Sequence, residues 1–412
     1  MFVLLCQVLA GATRHQKNCI LAIVEIPGSI RLATLLCMLD AEGSLLTRAE
    51  TCRGTLNLLS FLYDSNGAQV NISPLDEVLG AVGGNAKLFI DTLLSRIEDA
   101  LPSPVLAEKT VASFLNLFVV LPDHPKHPLS IALRARNPSA FLIKVLHRLL
   151  EILSEDSAKC SDSDLARRVR RLIAAILAHI TIAVLQRPGR TKLMLEMLQG
   201  GIMTILVDCA PWAFSFKPCD RDKMVLLLKL LTSLTTRLPI ARQASAELER
   251  IEGKYSVQAR INASMPIIRK LWAILYNTII ARRTVLAQMQ SLNSTPMACD
   301  NCFRFDERAT FKKCANCGMA HYCSKECQSR AWKEGGHRTQ CKSLKENPPK
   351  SKGRAMNQDR YFLARVAVND AQQKREHLEQ MALIGLKYVS VIIDYTESPP
   401  SCNAQCDAAV LR

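Results

Sequence analysis

Apolar residues recur through the first 290 positions at spacings that only a helix brings onto one side. Phe141, Leu142, Val145, Leu146, Leu149, Leu150 and Leu153 follow one another at alternating steps of one and three, so a single face carries them all. A second amphipathic helix is predicted from residue 164 to 185 by Leu165, Val169, Leu172, Ile173, Ile176, Leu177, Ile180 and Val184. Its early turns place Arg167, Arg168, Arg170 and Arg171 on the remaining faces, as solvated cover for an apolar stripe or as a phosphate-binding strip. After Pro188 and Gly189, the phrase TKLMLEMLQGGIMTILVDC predicts one helix ending at Gly200 and Gly201 and another opening at Ile202. MVLLLKLLTSLTTRL and SMPIIRKLWAILYNTIIARRTVLAQMQ predict more of the same.

The fold class is therefore mainly α. The helix-Gly-helix junction resembles that of armadillo-like repeats, but no strict period is present, so residues 1–292 form either an irregular α-solenoid or a plain helical bundle. Pro, Ser, Asn and charged residues mark linkers at SLNSTPMA and at ENPPKSKGRAMNQDR, which bound a separate unit at 299–341. A short α/β tail over 358–412 follows: a helix over 359–386, a strand at KYVSVIIDY, and a loop-like end from Cys402 to Cys406. That last Cys-x3-Cys pair has no His or Cys partners beside it. The opening MFVLLCQVLAGA reads as a first helix, since it lacks the basic stretch of a signal peptide. The longest apolar run, 172–185, is broken by His179 and Thr181 and is shorter than the roughly 18 residues a membrane span needs. No membrane partner is expected.

Composition sharpens this picture in two ways. Only 5% of residues are aromatic against 49% hydrophobic overall, which suits helices packed through aliphatic ridges. The formal charge of +16 permits attraction to nucleic acid or acidic proteins without specifying either. Sixteen cysteines suggest disulfides at first sight. Seven of them, however, crowd into 299–341 at metal-ligand spacing, while Cys6, Cys19, Cys37, Cys52, Cys160 and Cys209 sit mostly in apolar helical stretches. That usage suits a reducing compartment, so an intracellular location, nucleus or cytoplasm, is expected.

The metal-binding series is Cys299-x2-Cys302, Cys314-x2-Cys317, Cys323-x3-Cys327 and His337-x3-Cys341. A Cys-x2-Cys turn lets two sulfurs converge on one tetrahedral ion, and an x3 spacing sets two ligands one helical turn apart, so each pair supplies half a zinc site. Ser324 is placed to cap a helix that carries Cys327 and Trp332. Eight ligands divide into two closed structural Zn²⁺ sites with no position left to activate water. His321 breaks the pair pattern and stays outside, and His124 with His127 belongs to a proline turn.

Together with Tyr322 before Cys323, Gln328 after Cys327, and Trp332, these pairs resemble the MYND zinc finger, over about a tenth of the chain. The resemblance implies interleaved ligands: Cys299, Cys302, Cys323 and Cys327 on one ion, Cys314, Cys317, His337 and Cys341 on the other. Spacing alone leaves a sequential pairing equally open. The resemblance also implies a docking site for proteins, in particular short proline-rich peptides, through Gln328 and Trp332, although Trp332 could equally serve only to pack the small core. With its helical N-terminal region the architecture is similar to MYND proteins abundant in mushroom-forming fungi. The expected function is a zinc-binding interaction protein of adaptor or regulatory type. A nuclear factor binding DNA or RNA is the alternative, invited by Arg304, Arg308, Lys312, Lys313, Lys325, Arg330, Lys333 and Arg338 but weakened by the lack of stacking aromatics. A lysine methyltransferase is the least favoured, because neither its Asn-His-Ser-Cys-type segment nor its many short strands can be found. With no Gly-x-Ser-x-Gly elbow or Walker A loop either, the chain is expected not to be an enzyme.

Overall fold

A computed structural model describes residues 26, 28–38, 74–103, 110–112, 114–115, 121, 124–157, 164–186, 189–253, 257–290, 296–346, 354–374, 389–395 and 401–406. The opening segment read as a first helix lies outside them. The fold is mainly α, and its contacts divide into two compact units, Met1–Met224 and Val225–Arg412.

In the first unit α1 (Ser29–Met38) packs on α2 (Pro74–Ala81), and α3 (Ala86–Ala100) on α4 (Pro128–Ala135). Then α5 (Pro138–Ser157), α6 (Asp164–Gln186), α7 (Arg190–Gln199) and α8 (Ile202–Cys209) stack on one another. Contact between neighbours in sequence is what a solenoid or bundle requires. The stripe from Phe141 to Leu153 is buried, as are Val169, Leu172, Ile173, Ile176, Leu177, Ile180 and Val184 of α6. Three arginines of the α6 strip have partners inside the unit: Arg167 and Arg168 pair with Asp164, and the Arg170 guanidinium lies 5.9 Å from the centre of the Trp212 ring.

The Gly200-Gly201 break has a packing cause. A Cβ on Gly200 would stand 2.7 Å from Ile143 Cγ2 of α5, and Gly201, with φ +92°, starts α8 in the left-handed region that favours glycine. The missing side chain lets α7 and α8 close on α5, where the His147 ring also meets the Gly200 carbonyl oxygen at 2.9 Å. Among the described residues no single helix is long and apolar enough to cross a membrane.

Helix α9 (Pro218–Leu234) carries the chain across the boundary. The second unit contains α10 (Leu238–Glu252), α11 (Val257–Asn262), α12 (Pro266–Gln290), the cysteine-rich segment and α15 (Arg354–Gln373). Leu238 and Ala241 of α10, Val285 and Leu286 of α12, and Phe362 and Val366 of α15 share one core. Buried Arg282 of α12 holds Asp370 of α15 through two bonds of 2.6 and 2.9 Å, and the Tyr395 hydroxyl donates to the same carboxylate at 2.9 Å.

The tail departs from expectation at both ends. Helix α15 begins at Arg354, inside the stretch read as linker, and gives way to a turn at Lys374, residues 375–388 lying outside the described set. Strand β5 (Val389–Asp394) pairs antiparallel with β6 (Ser401–Cys406), so the end read as a loop is a strand. The polar sequence SCNAQC hides it, and the cross-strand partner supplies what propensity does not. Cys402 and Cys406 stand four residues apart on that strand, about 13 Å along it at the usual rise.

Candidate metal centre

Two small hairpins and two helices build the centre. β1 (Met297–Ala298) pairs with β2 (Phe305–Asp306), and β3 (Lys312–Lys313) with β4 (His321–Tyr322). Helices α13 (Lys325–Lys333) and α14 (His337–Glu346) follow. Cys299 and Cys302 turn between β1 and β2, and Cys314 and Cys317 between β3 and β4. The two turns share one geometry: the residue after the second cysteine has positive φ, +58° at Phe303 and +65° at Gly318, and its N–H donates to the first cysteine's carbonyl oxygen, at 3.0 and 2.8 Å. Glycine suits that conformation, whereas at Phe303 it costs about 1–2 kcal/mol; the residue is 64% exposed.

Ser324 caps α13 by accepting the Cys327 N–H at 3.2 Å, so Cys323 and Cys327 face the same point from the helix's first turn. His337 and Cys341 lie one turn apart on α14. The structure gathers Cys299, Cys302, Cys323 and Cys327 into one cluster and Cys314, Cys317, His337 and Cys341 into another, the ligand atoms of each lying within 4.8 Å of one another. The pairing is interleaved, which spacing had left open.

The donor sets fit zinc. A tetrahedral ion with Zn–S bonds of about 2.3 Å holds its sulfurs about 3.8 Å apart. Cys302 and Cys323 lie 3.6 Å apart, Cys323 and Cys327 3.5 Å, Cys314 and Cys341 3.8 Å, and Cys317 Sγ sits 3.8 Å from His337 Nε2. Two structural zinc ions, each with four protein ligands, are what these clusters hold. All four members of the second cluster are buried, whereas in the first only Cys299 is, and Cys302 is exposed.

Hydrogen bonds prepare the sulfurs for metal. The Cys323 N–H points at Cys299 Sγ at 3.5 Å, and the Asn316 amide donates to Cys341 Sγ at 3.3 Å. Burial pushes the Cys299 thiol up, but the N–H groups of Cys302, Cys323 and Asn301 outweigh it and bring it down to about 7. Burial likewise raises Cys314, against which the Cys317 N–H, the His337 ring and the Asn316 N–H prevail, to about 6. Cys323 goes the other way: burial and its neighbours Cys327, Cys302 and Cys299 push it up to about 12. Cys341 is also raised, first by burial.

The sign of the pH dependence follows. The lowered Cys299 and Cys314 favour the folded arrangement of the finger above the ordinary thiol value of 9 and lose that contribution as pH falls through 7 and 6. Cys323 and Cys341 keep their protons at neutral pH until zinc displaces them, at least one per site. Zinc affinity is therefore expected to fall by roughly tenfold or more for each unit that pH is lowered through neutrality, and more steeply once Cys299 and Cys314 protonate. Competition with a chelator of known affinity at several pH values checks this, and a pH-independent affinity would contradict it.

Gln328 and Trp332 lie one turn apart on α13, Gln328 half-buried and Trp332 40% exposed. The indole meets the ligand ring of His337 edge-on, with centroids 5.9 Å apart, while Tyr322 does the same from inside the core. Trp332 thus both packs the finger and presents a face to solvent. His321 stays outside both clusters, and its N–H donates to Asp300. His127 caps α4 and pairs with Asp76 at 3.2 Å. Sequence reasoning missed Asn316 and Asp300; the one available signal was that both are polar residues inside a Cys-x2-Cys turn.

Comparison with known proteins agrees with this geometry. Residues 299–341 match the family described as MYND finger. The chain is 39% identical over 56 residues to a SET and MYND domain-containing protein of Dictyostelium discoideum, covering 13% of this chain and 10% of that protein. It is 33% identical over 72 residues to histone-lysine N-methyltransferase SMYD3 of Homo sapiens, covering 18% and 16%. The match thus spans a sixth or less of the length of these relatives. No solved structure matches the chain. Donor chemistry, interleaved geometry and family match converge on one conclusion: the chain carries a MYND-type, two-zinc finger, a protein-interaction module, at residues 299–341.

Proposed function

We propose that this chain is a non-enzymatic adaptor, in which the helical scaffold presents the finger and the finger holds short proline-rich peptides through Gln328 and Trp332. The observation that carries the reading is the placement of Trp332. It stands 40% exposed one turn from Gln328, held at a fixed angle by its contact with a zinc ligand. A rigid aromatic face suits a proline-containing strand, which is already stiff and loses little entropy on docking. Both zinc clusters are closed, so the metal offers no position for substrate or water. The relatives' methyltransferase name belongs to proteins of which the match covers only a small share, and it is not carried over. Free thiols that must stay reduced to bind zinc accord with an intracellular setting, nucleus or cytoplasm.

Titrating short proline-containing peptides into the full chain tests this. Trp332→Ala is expected to weaken binding by at least tenfold, as truncating a central aromatic anchor does, with two zinc ions retained per chain. Unchanged peptide affinity in that variant removes the proposed groove. Salt-sensitive duplex binding abolished by charge reversal at Lys312 and Lys313, both exposed on β3, would put the nucleic-acid reading in its place.

A further inference from the structure

The first zinc cluster is tied to a helix outside the 299–341 match. Asp300, between Cys299 and Cys302, is gripped from two directions. Its N–H donates to the His321 carbonyl at 2.8 Å and its Oδ2 accepts the His321 N–H at 2.8 Å, which clamps the first cysteine turn onto β4 two residues before Cys323. Its Oδ1 accepts from Arg360 Nη1 of α15, also at 2.8 Å. The next residue of α15, Tyr361, meets Phe305 of β2 edge-on at 5.2 Å. Phe362, one further on, is fully buried in the core shared by α10 and α12. Three consecutive side chains thus connect the first metal cluster to the helical core of the same unit.

The first cluster has more need of outside support than the second. Cys302 is exposed and Cys323 and Cys327 are half-buried, whereas the second cluster is enclosed and has Asn316, Tyr322 and Trp332 packed around it. Four thiolates on one divalent ion also leave net negative charge, and the Arg360 guanidinium neutralises the Asp300 carboxylate beside it.

We propose that Arg360 is a positioning residue for the first zinc ion. Its ion pair with Asp300 keeps the first cysteine turn seated on β4, so that Cys299, Cys302 and Cys323 stay converged. Exchange of zinc requires a ligand to swing away, and the clamp restricts that motion. By thermodynamic reciprocity, zinc in the first site holds α15 on the finger. This does not depend on what the finger binds.

The test uses the full-length, zinc-loaded chain, challenged with excess chelator in the presence of a chromogenic zinc indicator. The wild type is expected to release one equivalent quickly and one slowly. Cys302→Ser, holding one tightly bound zinc and lacking the fast phase, assigns that phase to the first site. Partners that touch metal ligands directly change metal affinity by about 10–100-fold, so this indirect one is expected to accelerate the fast phase roughly five- to tenfold in Arg360→Ala. The slow phase should not move, and Arg360→Lys should recover part of the loss. Asp300→Asn should reproduce the acceleration, and the double variant should be no faster than the quicker single one. Hydrogen exchange in α15 should rise in Cys302→Ser even if that finger folds poorly. A single release phase in the wild type, equal acceleration of both phases, wild-type rates in Arg360→Ala, or additive effects in the double variant would each overturn the proposal.

Discussion

Stripping both zinc ions with a chelator at neutral pH is expected to unfold residues 297–346 while the helices of the first unit persist. The finger's buried cluster consists of Met297, Cys299, Phe311, Cys314, Cys317, Ala320, Tyr322, Ala331 and Cys341. Four of these are zinc ligands, and the five that remain bury too little apolar surface to hold a unit of this size. Structural zinc contributes about 10–16 kcal/mol in zinc-finger peptides, comparable to or larger than the whole stability of a typical domain. Without metal, the sulfurs of each cluster would also be left close together, with one thiol in each, Cys323 and Cys341, pushed above its ordinary pKa, an arrangement that a cation makes favourable. Hydrogen exchange resolved by segment is the measurement. Protection should vanish across β1 to α14 and remain in α5 and α6, and protection retained in the finger after full zinc removal would refute a metal-dependent fold.

The second large effect is expected from Asp370→Ala. Arg282 is only 2% exposed, and its two bonds to Asp370 are what makes a guanidinium tolerable there. Removing the carboxylate leaves that charge buried and uncompensated, at a cost of about 3–5 kcal/mol, and the Tyr395 hydroxyl loses its acceptor as well. Replacing both members by apolar residues of similar volume, Arg282→Met with Asp370→Leu, should recover most of the loss, because no charge is then stranded. Denaturant unfolding followed by a probe on α12 or α15 reads both. A loss below about 1 kcal/mol in Asp370→Ala would mean that water reaches the guanidinium and replaces its partner.

These two effects arise from parts of the chain that differ in how far they could be read in advance. The α5 and α6 stripes were legible because helical periodicity is local: seven apolar residues at steps of one and three can share a face in only one conformation. The Gly200-Gly201 break was legible as a helix boundary, but its cause, the approach of Ile143, was not. The strand β6 was missed because its residues are polar and its stability comes from backbone pairing with β5. The pair of Arg282 and Asp370 was not legible, since nothing within a turn of either announces a partner 88 residues away.

At the finger the division is sharper. The sequence by itself determined the four ligand pairs, because chelation begins with two donors brought together by a short turn or one helical turn, a constraint that spacing records directly. Only the tertiary structure decided which pairs share an ion. Sequential and interleaved partitions use the same ligands and satisfy the same tetrahedral chemistry, so the choice rests on how β1–β2, β3–β4, α13 and α14 pack. The tertiary structure also decided that Asp300 of the first cysteine turn meets Arg360, 60 residues on, and that Trp332 leans on a zinc ligand while keeping one face in solvent. Such contacts depend on the mutual placement of elements, which the pattern of residues along each of them does not specify.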